Sequence, residues 1–102
     1  MSPRAYSARD VVAFNLHVRA SDESLFVRAR GGDEAALEQL YVRHFHAMRR
    51  VALRVLRDEE AADEVVSDVF RRIAVGNERC ARTHVLRWLL AEAHAMAIDR
   101  RG

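Results

Sequence analysis

Residue types that often carry catalysis occur in this chain, but their spacing does not assemble a site. His44 and His46 are two positions apart, which on a helix would direct their side chains about 200° from each other. No cysteine or carboxylate pair completes a zinc site with them. Cys80 lies in an arginine-bearing loop, and without a base placed beside it we interpret it as a surface thiol. We therefore predict no catalytic residue, no metal, no cofactor and no enzyme activity.

An acidic run is more informative. The segment "RDEEAADEVVSDVF", residues 57–70, holds six carboxylates and a single arginine at its first position. Like charges four residues apart on a helix repel by about 0.2–0.5 kcal/mol per pair, so stability alone does not favour this composition. The helix dipole favours acids in the first turn, residues 58–60, and this leaves Glu64 and Asp68 unexplained.

A helix would gather part of this run on one surface. At about 100° per residue, one stripe, called the acidic strip below, consists of Glu60, Glu64, Ser67 and Asp68. Apolar side chains form the opposite stripe. Two interpretations stay open from composition: a solvated face, or a binding surface for a basic protein partner.

Charge is segregated along the chain. Seventeen basic residues, all arginine, oppose fifteen acids, so a pI of about 9.3 accompanies a net charge of only +2. Residues 43–57 carry five arginines and no acid, residues 58–70 carry six acids and no base, and residues 71–101 carry seven arginines and three acids. The overall charge therefore predicts no partner, whereas its distribution does suggest one.

Length and composition indicate one soluble domain. A chain of 102 residues can bury roughly 60–65% of its unfolded surface in one core, and half of its residues are apolar. The single Cys80 excludes an internal disulfide, which favours a reduced cytoplasm. No apolar run approaches the roughly 18 residues of a membrane span, and "MSPRAYSARD" does not resemble a signal peptide. We expect a cytoplasmic protein without a membrane partner.

Periodicity supplies the elements that would position these residues. Apolar side chains at three-four spacing predict amphipathic helices over residues 35–57, 59–74 and 84–100, with stripes at 37–56, 62–73 and 85–97. We expect a short helix through Arg30 before them. The fold class is therefore all-α, a compact helical bundle of three long helices plus a short N-terminal helix. Within residues 1–20, positions 14–19 alternate between apolar and polar side chains as a strand would, but a helix from Ala8 is not excluded.

Helix boundaries agree with these periods. The predicted N-caps are Ser21, Asp33, Asp58 and Thr83. "GG" at residues 31–32 predicts the end of the short helix, and Gly76 with Asn77 predicts the end of the acidic one.

Three sequence blocks resemble the extracytoplasmic-function (ECF) group of the sigma-70 family of bacterial RNA polymerase sigma factors. "DEEAADEVVSDVF" resembles the family's acidic helix, and "WLLAEAHAMAIDRR" resembles the tryptophan-led helix that follows it. "DESLFVRARGGDEAALEQLYVRHF" resembles the opening of region 2. The resemblance implies a region 2 domain at residues 21–102, preceded by an N-terminal extension at residues 1–20. Region 4, the family's second helical domain, has no counterpart in these residues, so a fragment and a free-standing region 2 both stay open.

The resemblance implies one role for the acidic strip. In sigma factors this helix binds the basic clamp helices of the polymerase beta-prime subunit. The expected partner is therefore core RNA polymerase, with unpaired carboxylates as the binding surface. The expected polymerase-binding residues are Glu60, Glu64, Ser67, Asp68 and Arg71. Ser67 stands where the family usually has glutamine.

The resemblance also implies promoter recognition. ECF sigma factors hold the non-template strand of the minus-ten element between the last helix and the loop before it, here roughly residues 76–84. The expected DNA-binding residues are Arg79, Arg82, Arg87, Arg100 and Arg101, whereas Trp88 is expected in the core or at its rim. His94 and Ala95 replace a frequent arginine and asparagine, and Glu92 adds a negative charge.

These departures leave two functions open. The first is a transcription initiation module that binds polymerase and promoter DNA. The second is a sigma-like interaction module, a decoy or a surface for an anti-sigma factor, without promoter recognition.

Overall fold

The computed structural model describes residues 20–76 and 84–102, and every regular element within them is a helix. Helix α1 spans Asp22–Arg30, α2 spans Glu34–Leu56, α3 spans Glu59–Ala74 and α4 spans Val85–Arg101. The expected all-α fold, with three long helices and a short one before them, is confirmed. The bounds of the long helices differ from the predicted ones by at most one residue at each end.

Side-chain caps start the first three helices as the sequence predicts. Ser21 Oγ accepts a hydrogen bond from the amide of Ser24 at 3.1 Å, and Asp33 accepts one from Ala36 at 3.1 Å. Asp58 accepts one from Ala61 at 2.9 Å. Each bond satisfies one of the amides that a helix start leaves without a partner. The fourth predicted cap, Thr83, lies outside the described residues.

Two short connections fold the helices back on one another. Between α1 and α2, Gly32 has a φ of 106°, a conformation that glycine adopts without steric cost. Between α2 and α3, Arg57 adopts the left-handed conformation, with a φ of 55°, and its amide donates to the carbonyl of Leu53 at 2.8 Å. Only residues 57 and 58 separate these two helices, which therefore form a tight helical hairpin.

Helix α2 is the centre of the fold and packs against each of the other three helices. The buried side chains on α3 are the six that its period predicts: Ala62, Val65, Val66, Val69, Phe70 and Ile73. On α4 they are Val85, Leu89, Ala93 and Ala97. Leu86, an apolar residue within the predicted stripe at 85–97, is 37% exposed, so the prediction was wrong for this residue. Leu86 follows Val85 by about 100° around the helix and leaves the inward face.

The tryptophan lies at the edge of this core. Trp88 is half-buried and packs edge-on against Phe26 of α1, with ring centroids 5.5 Å apart. Its expected place at the core rim is confirmed. None of the described helices is long and apolar enough to cross a membrane.

Candidate functional site

The acidic strip lies on the outer face of α3, as its spacing predicts. Glu60, Glu64 and Ser67 are exposed and Asp68 is half-buried, while the apolar side chains of α3 face the core. Asp63 and Arg71 complete the lining of a shallow depression along this face. The structure therefore brings together all five residues that the sequence assigned to polymerase binding.

An arginine from the last helix binds the strip. Arg100 Nη1 donates to Glu64 Oε1 at 3.1 Å, and Arg100 Nη2 bonds to Asp68 Oδ2. The other oxygen of Asp68 accepts from Arg71 on the same helix. The expectation of unpaired carboxylates is therefore wrong for Glu64 and Asp68. Their negative charge is already partly neutralised within the chain.

The position of Arg100 follows from helix geometry. Val85, Leu89, Ala93 and Ala97 recur at spacings of four and form the buried stripe of α4. Arg100 comes three residues after Ala97, so it continues this stripe beyond the core and faces α3. The sequence contained this signal, but the resemblance grouped Arg100 with Arg101 as a DNA contact.

A second arginine neutralises the beginning of α3. Arg49 of α2 bonds to Asp63 Oδ1 at 2.5 Å and approaches Glu59 Oε1 to 3.4 Å. The hydrogen bond with Asp63, supported by both negative charges, raises the pKa of Arg49 above its ordinary value. Sequence reasoning missed Arg49 because its partners lie on another helix, ten and fourteen residues further along.

The acidity of residues 58–70 therefore has a structural account. Asp58 caps the helix, Arg49 binds Glu59 and Asp63, and Arg100 binds Glu64 and Asp68. Glu60 is the remaining acid of the run, and it forms no ion pair with any residue that the structure describes. Opposite charges are interspersed in space although they are segregated along the sequence.

The expected DNA-binding arginines do not form one cluster in the described part of the chain. Arg87 and Arg101 are exposed, whereas Arg100 is bound to α3. Arg87 lies about 140° around the axis of α4 from Arg100, beside a groove between α2 and α4. Arg79 and Arg82 lie outside the described residues.

His44 and His46 each contact a neighbouring side chain. His44 Nε2 lies 2.9 Å from Asp22 Oδ2, and Arg43 donates to the other oxygen of Asp22 at 3.0 Å. These contacts fasten α1 to α2. The ring of His46, which is exposed, lies edge-on to Phe45. Among the described residues, no group of three potential ligands could hold a metal ion.

Similarity to known proteins points to one class, the ECF RNA polymerase sigma factors. The relatives include the SigK proteins of Mycobacterium tuberculosis strain H37Rv and of Mycobacterium bovis strain BCG Pasteur, each 33% identical over 82 residues. The match covers 76% of this chain, and the chain spans 43% of the length of each relative. No protein-family model matches the chain, and no solved structure matches it.

This similarity supports the assignment to ECF sigma factors that the three sequence blocks suggested. The all-helical fold is consistent with the same assignment.

Proposed function

We propose that residues 21–102 are the region 2 domain of an ECF sigma factor, a transcription initiation module that acts with core RNA polymerase in the cytoplasm. The observation that carries this proposal is the 33% identity to the SigK proteins over 82 residues. The all-helical architecture agrees with it. Residues 1–20 would be an extension before this domain.

The acidic strip is the proposed polymerase-binding surface. Glu60 is exposed and forms no ion pair with a described residue, so its carboxylate is open to a basic partner such as the beta-prime clamp helices. Glu64 and Asp68 are available only if a partner arginine takes the place of Arg100. Arg100 would then act as an internal competitor, and binding would exchange one set of ion pairs for another.

Reversing the charge of Glu60 tests this surface with the least disturbance to the fold, since Glu60 forms no ion pair with a described residue. We expect Glu60→Arg to weaken binding to core RNA polymerase by about tenfold, because a close interfacial charge pair can contribute roughly 1.5 kcal/mol or more. Glu38→Arg is the matched control, since Glu38 is an exposed glutamate on α2 outside the strip. The measurement is a fluorescence anisotropy titration of labelled protein with core polymerase. Equal affinities for the two variants would refute the assignment.

The competitor role of Arg100 has its own test. Arg100→Gln removes the charge that occupies Glu64 and Asp68, so we expect the variant to bind polymerase several-fold more tightly than the unmodified chain. A loss of affinity would mean that Arg100 orders the strip for binding and does not compete for it.

Promoter contact is the second part of the proposal. Arg79, Arg82 and Arg101 would line the path of the non-template strand, and Arg100 would join them only on leaving Glu64 and Asp68. Arg87, which borders the groove between α2 and α4, is not assigned to this path. If about three phosphates are neutralised, a fourfold rise in salt should lower affinity for a single-stranded minus-ten oligonucleotide roughly twentyfold. Arg79→Ala/Arg82→Ala should weaken binding to every sequence, since phosphate contacts carry no base preference. Equal, salt-insensitive binding by both proteins would exclude this role.

A second candidate function is favoured by the place of Arg100. Because Arg100 is held on α3 and Ala95 replaces a residue that the family often uses for promoter reading, a sigma-like module could bind polymerase or an anti-sigma factor without reading DNA. Retained polymerase binding together with absent oligonucleotide binding would select this alternative.

A further inference from the structure

A groove between α2 and α4 has an apolar floor. Val51 and Val55 form one side of this floor, on successive turns of α2, and Leu90 and Ala91 of α4 form the other side. Both valines and Leu90 are half-buried, and Ala91 is exposed. The small Ala91 side chain leaves space above the floor. Aliphatic surface of this kind gains free energy when a partner removes it from water.

The rim of the groove is basic. Arg54 of α2 and Arg87 and His94 of α4 line it, and no acidic residue of the described ranges does. Arg54 and Arg87 are exposed and form no ion pair within residues 20–76 and 84–102. An adjoining depression on α2 adds Arg50 and Arg57, and its one acid, Glu59, is bound to Arg49. The groove is therefore an aliphatic channel bordered by cations.

The dimensions suit a short stretch of helix. Arg87 and His94 are seven residues apart on α4, which corresponds to about 10 Å, or two turns. A helix that presents apolar residues at three-four spacing could place them on the floor. Carboxylates on either side of that stripe would then reach Arg54 and Arg87. An acidic amphipathic helix therefore matches both the aliphatic floor and the basic rim of the groove.

Single-stranded nucleic acid and residues 1–19 of this chain match the groove less well than an acidic helix does. Among the residues that the structure describes, no aromatic side chain lines the groove, whereas proteins that hold single-stranded nucleic acid commonly stack its bases on aromatic rings. Phosphates would also leave the aliphatic floor uncovered. Residues 1–19 of this chain carry three arginines and one aspartate, so their charge does not complement the rim.

We propose that the groove between α2 and α4 is a docking site for an acidic amphipathic helix of a partner protein. This surface differs from the acidic strip, since Arg87 and Ala91 lie about 140–180° around α4 from Arg100. The inference therefore does not depend on the proposed role in transcription.

The probe is a short, side-chain-stapled helical peptide with one leucine stripe flanked by glutamates, labelled with a fluorophore and titrated with the full chain. We expect saturable binding, with amide NMR shifts confined to the groove. Two matched peptides separate the contribution of apolar contact from that of charge. In one, leucine is changed to alanine, and in the other, glutamate is changed to glutamine. Each should bind at least tenfold more weakly than the parent.

On the protein side, Arg54→Gln/Arg87→Gln should weaken binding of the parent peptide at least tenfold. The control is Ala35→Glu/Val42→Glu, which changes the net charge equally at two exposed positions on another face of α2. This control should bind like the unmodified chain. Circular dichroism of each variant establishes that the fold is retained.

Several outcomes would overturn the proposal. Equal binding by the two double variants, or by the parent and alanine peptides, would show that the groove does not select an amphipathic helix. Tighter binding of a single-stranded oligonucleotide with the same NMR shifts would assign the groove to nucleic acid. Self-association in sedimentation that is lost in Arg54→Gln/Arg87→Gln would assign it to a second copy of the chain.

Discussion

The acidic strip of α3 and the arginine-bordered groove each receive an arginine from α4, yet the charges of the two surfaces are balanced differently. On α3, Arg100 of α4 binds Glu64 and Asp68 of the strip, and Arg49 of α2 binds the neighbouring Asp63. In the groove, Arg54 and Arg87 meet no carboxylate of the described residues. The difference shows that the number of charges on a helix does not determine its surface potential. What decides it is whether a neighbouring helix supplies the opposite charge.

The largest effect on stability is expected from disrupting the packing of α4, the helix that contributes an arginine to each surface. Leu89 is fully buried on α4, the helix that carries Arg87 and Arg100, so Leu89→Asp would bury an unpaired charge. We expect a loss of several kcal/mol in the free energy of unfolding, measured by thermal or urea denaturation. Ala95→Asp is the control, since it places the same charge on an exposed part of α4. A cooperative melt near the original temperature for Leu89→Asp would contradict the described packing.

A loss of stability of intermediate size is expected when the N-cap of α2 is removed. This helix carries both Arg49 and Arg54. Asp33→Ala should cost about 1 kcal/mol, because the amide of Ala36 loses its partner. Asp33→Asn, which can still accept that bond, should cost less. Urea denaturation of the three proteins at neutral pH measures both differences, and an equal loss in the two variants would show that the cap bond is not responsible.

The same residue gives a pH dependence with a defined sign. The hydrogen bond from Ala36, with the nearby Arg28, lowers the pKa of Asp33 below 3.8. The stabilisation by ionised Asp33 is therefore fully present above the unfolded pKa and is lost as the pH falls through the lower, folded one. The advantage of the unmodified chain over Asp33→Asn should shrink in that acidic window. An advantage that is constant down to pH 2 would contradict the assignment.

The smallest changes in stability are expected when one arginine is removed from each surface, which compares the two surfaces directly. Arg100→Gln should destabilise the fold by about 0.2–1 kcal/mol, since its partners are partly exposed. Arg87→Gln, which removes a groove arginine without an ion pair, should change stability by less than about 0.5 kcal/mol. The gap between the variants in urea denaturation should narrow in 1 M salt, where charges are screened beyond roughly 3 Å. A gap that is unchanged by salt would mean that Arg100 stabilises the fold by packing.

The helices were predictable because strong local signals agree. On α3, six apolar residues follow the helical period, Asp58 caps the start, and the bounds are those predicted. The buried positions of α3 follow directly from that period. Leu86 was mispredicted because a wide apolar stripe does not reveal where its inward face ends.

The residues of the strip were also predictable, but their ion pairs were not. Glu64, Ser67 and Asp68 share a face whatever the tertiary fold is, since spacing alone places them there. Their contact with Arg100 spans 32 to 36 positions and depends on how α4 packs against α3. The register of Arg100 with Ala97 indicated an inward direction but not a partner. The groove escaped prediction for the same reason, because Val51 and Leu90 meet only after α2 and α4 pack.

The tight turn at Arg57 bears on the order in which these pairs can form during synthesis. Helices α2 and α3 are separated by two residues, so their pairing closes a very short loop and needs nothing further along the chain. Arg49 can therefore meet Glu59 and Asp63 as soon as this hairpin has left the ribosome. Arg100 lies 26 residues beyond Ala74, the last residue of α3, and a chain grows by about 5–20 residues per second. For that interval Glu64 and Asp68 have no Arg100, and the nascent hairpin is more acidic than the finished domain.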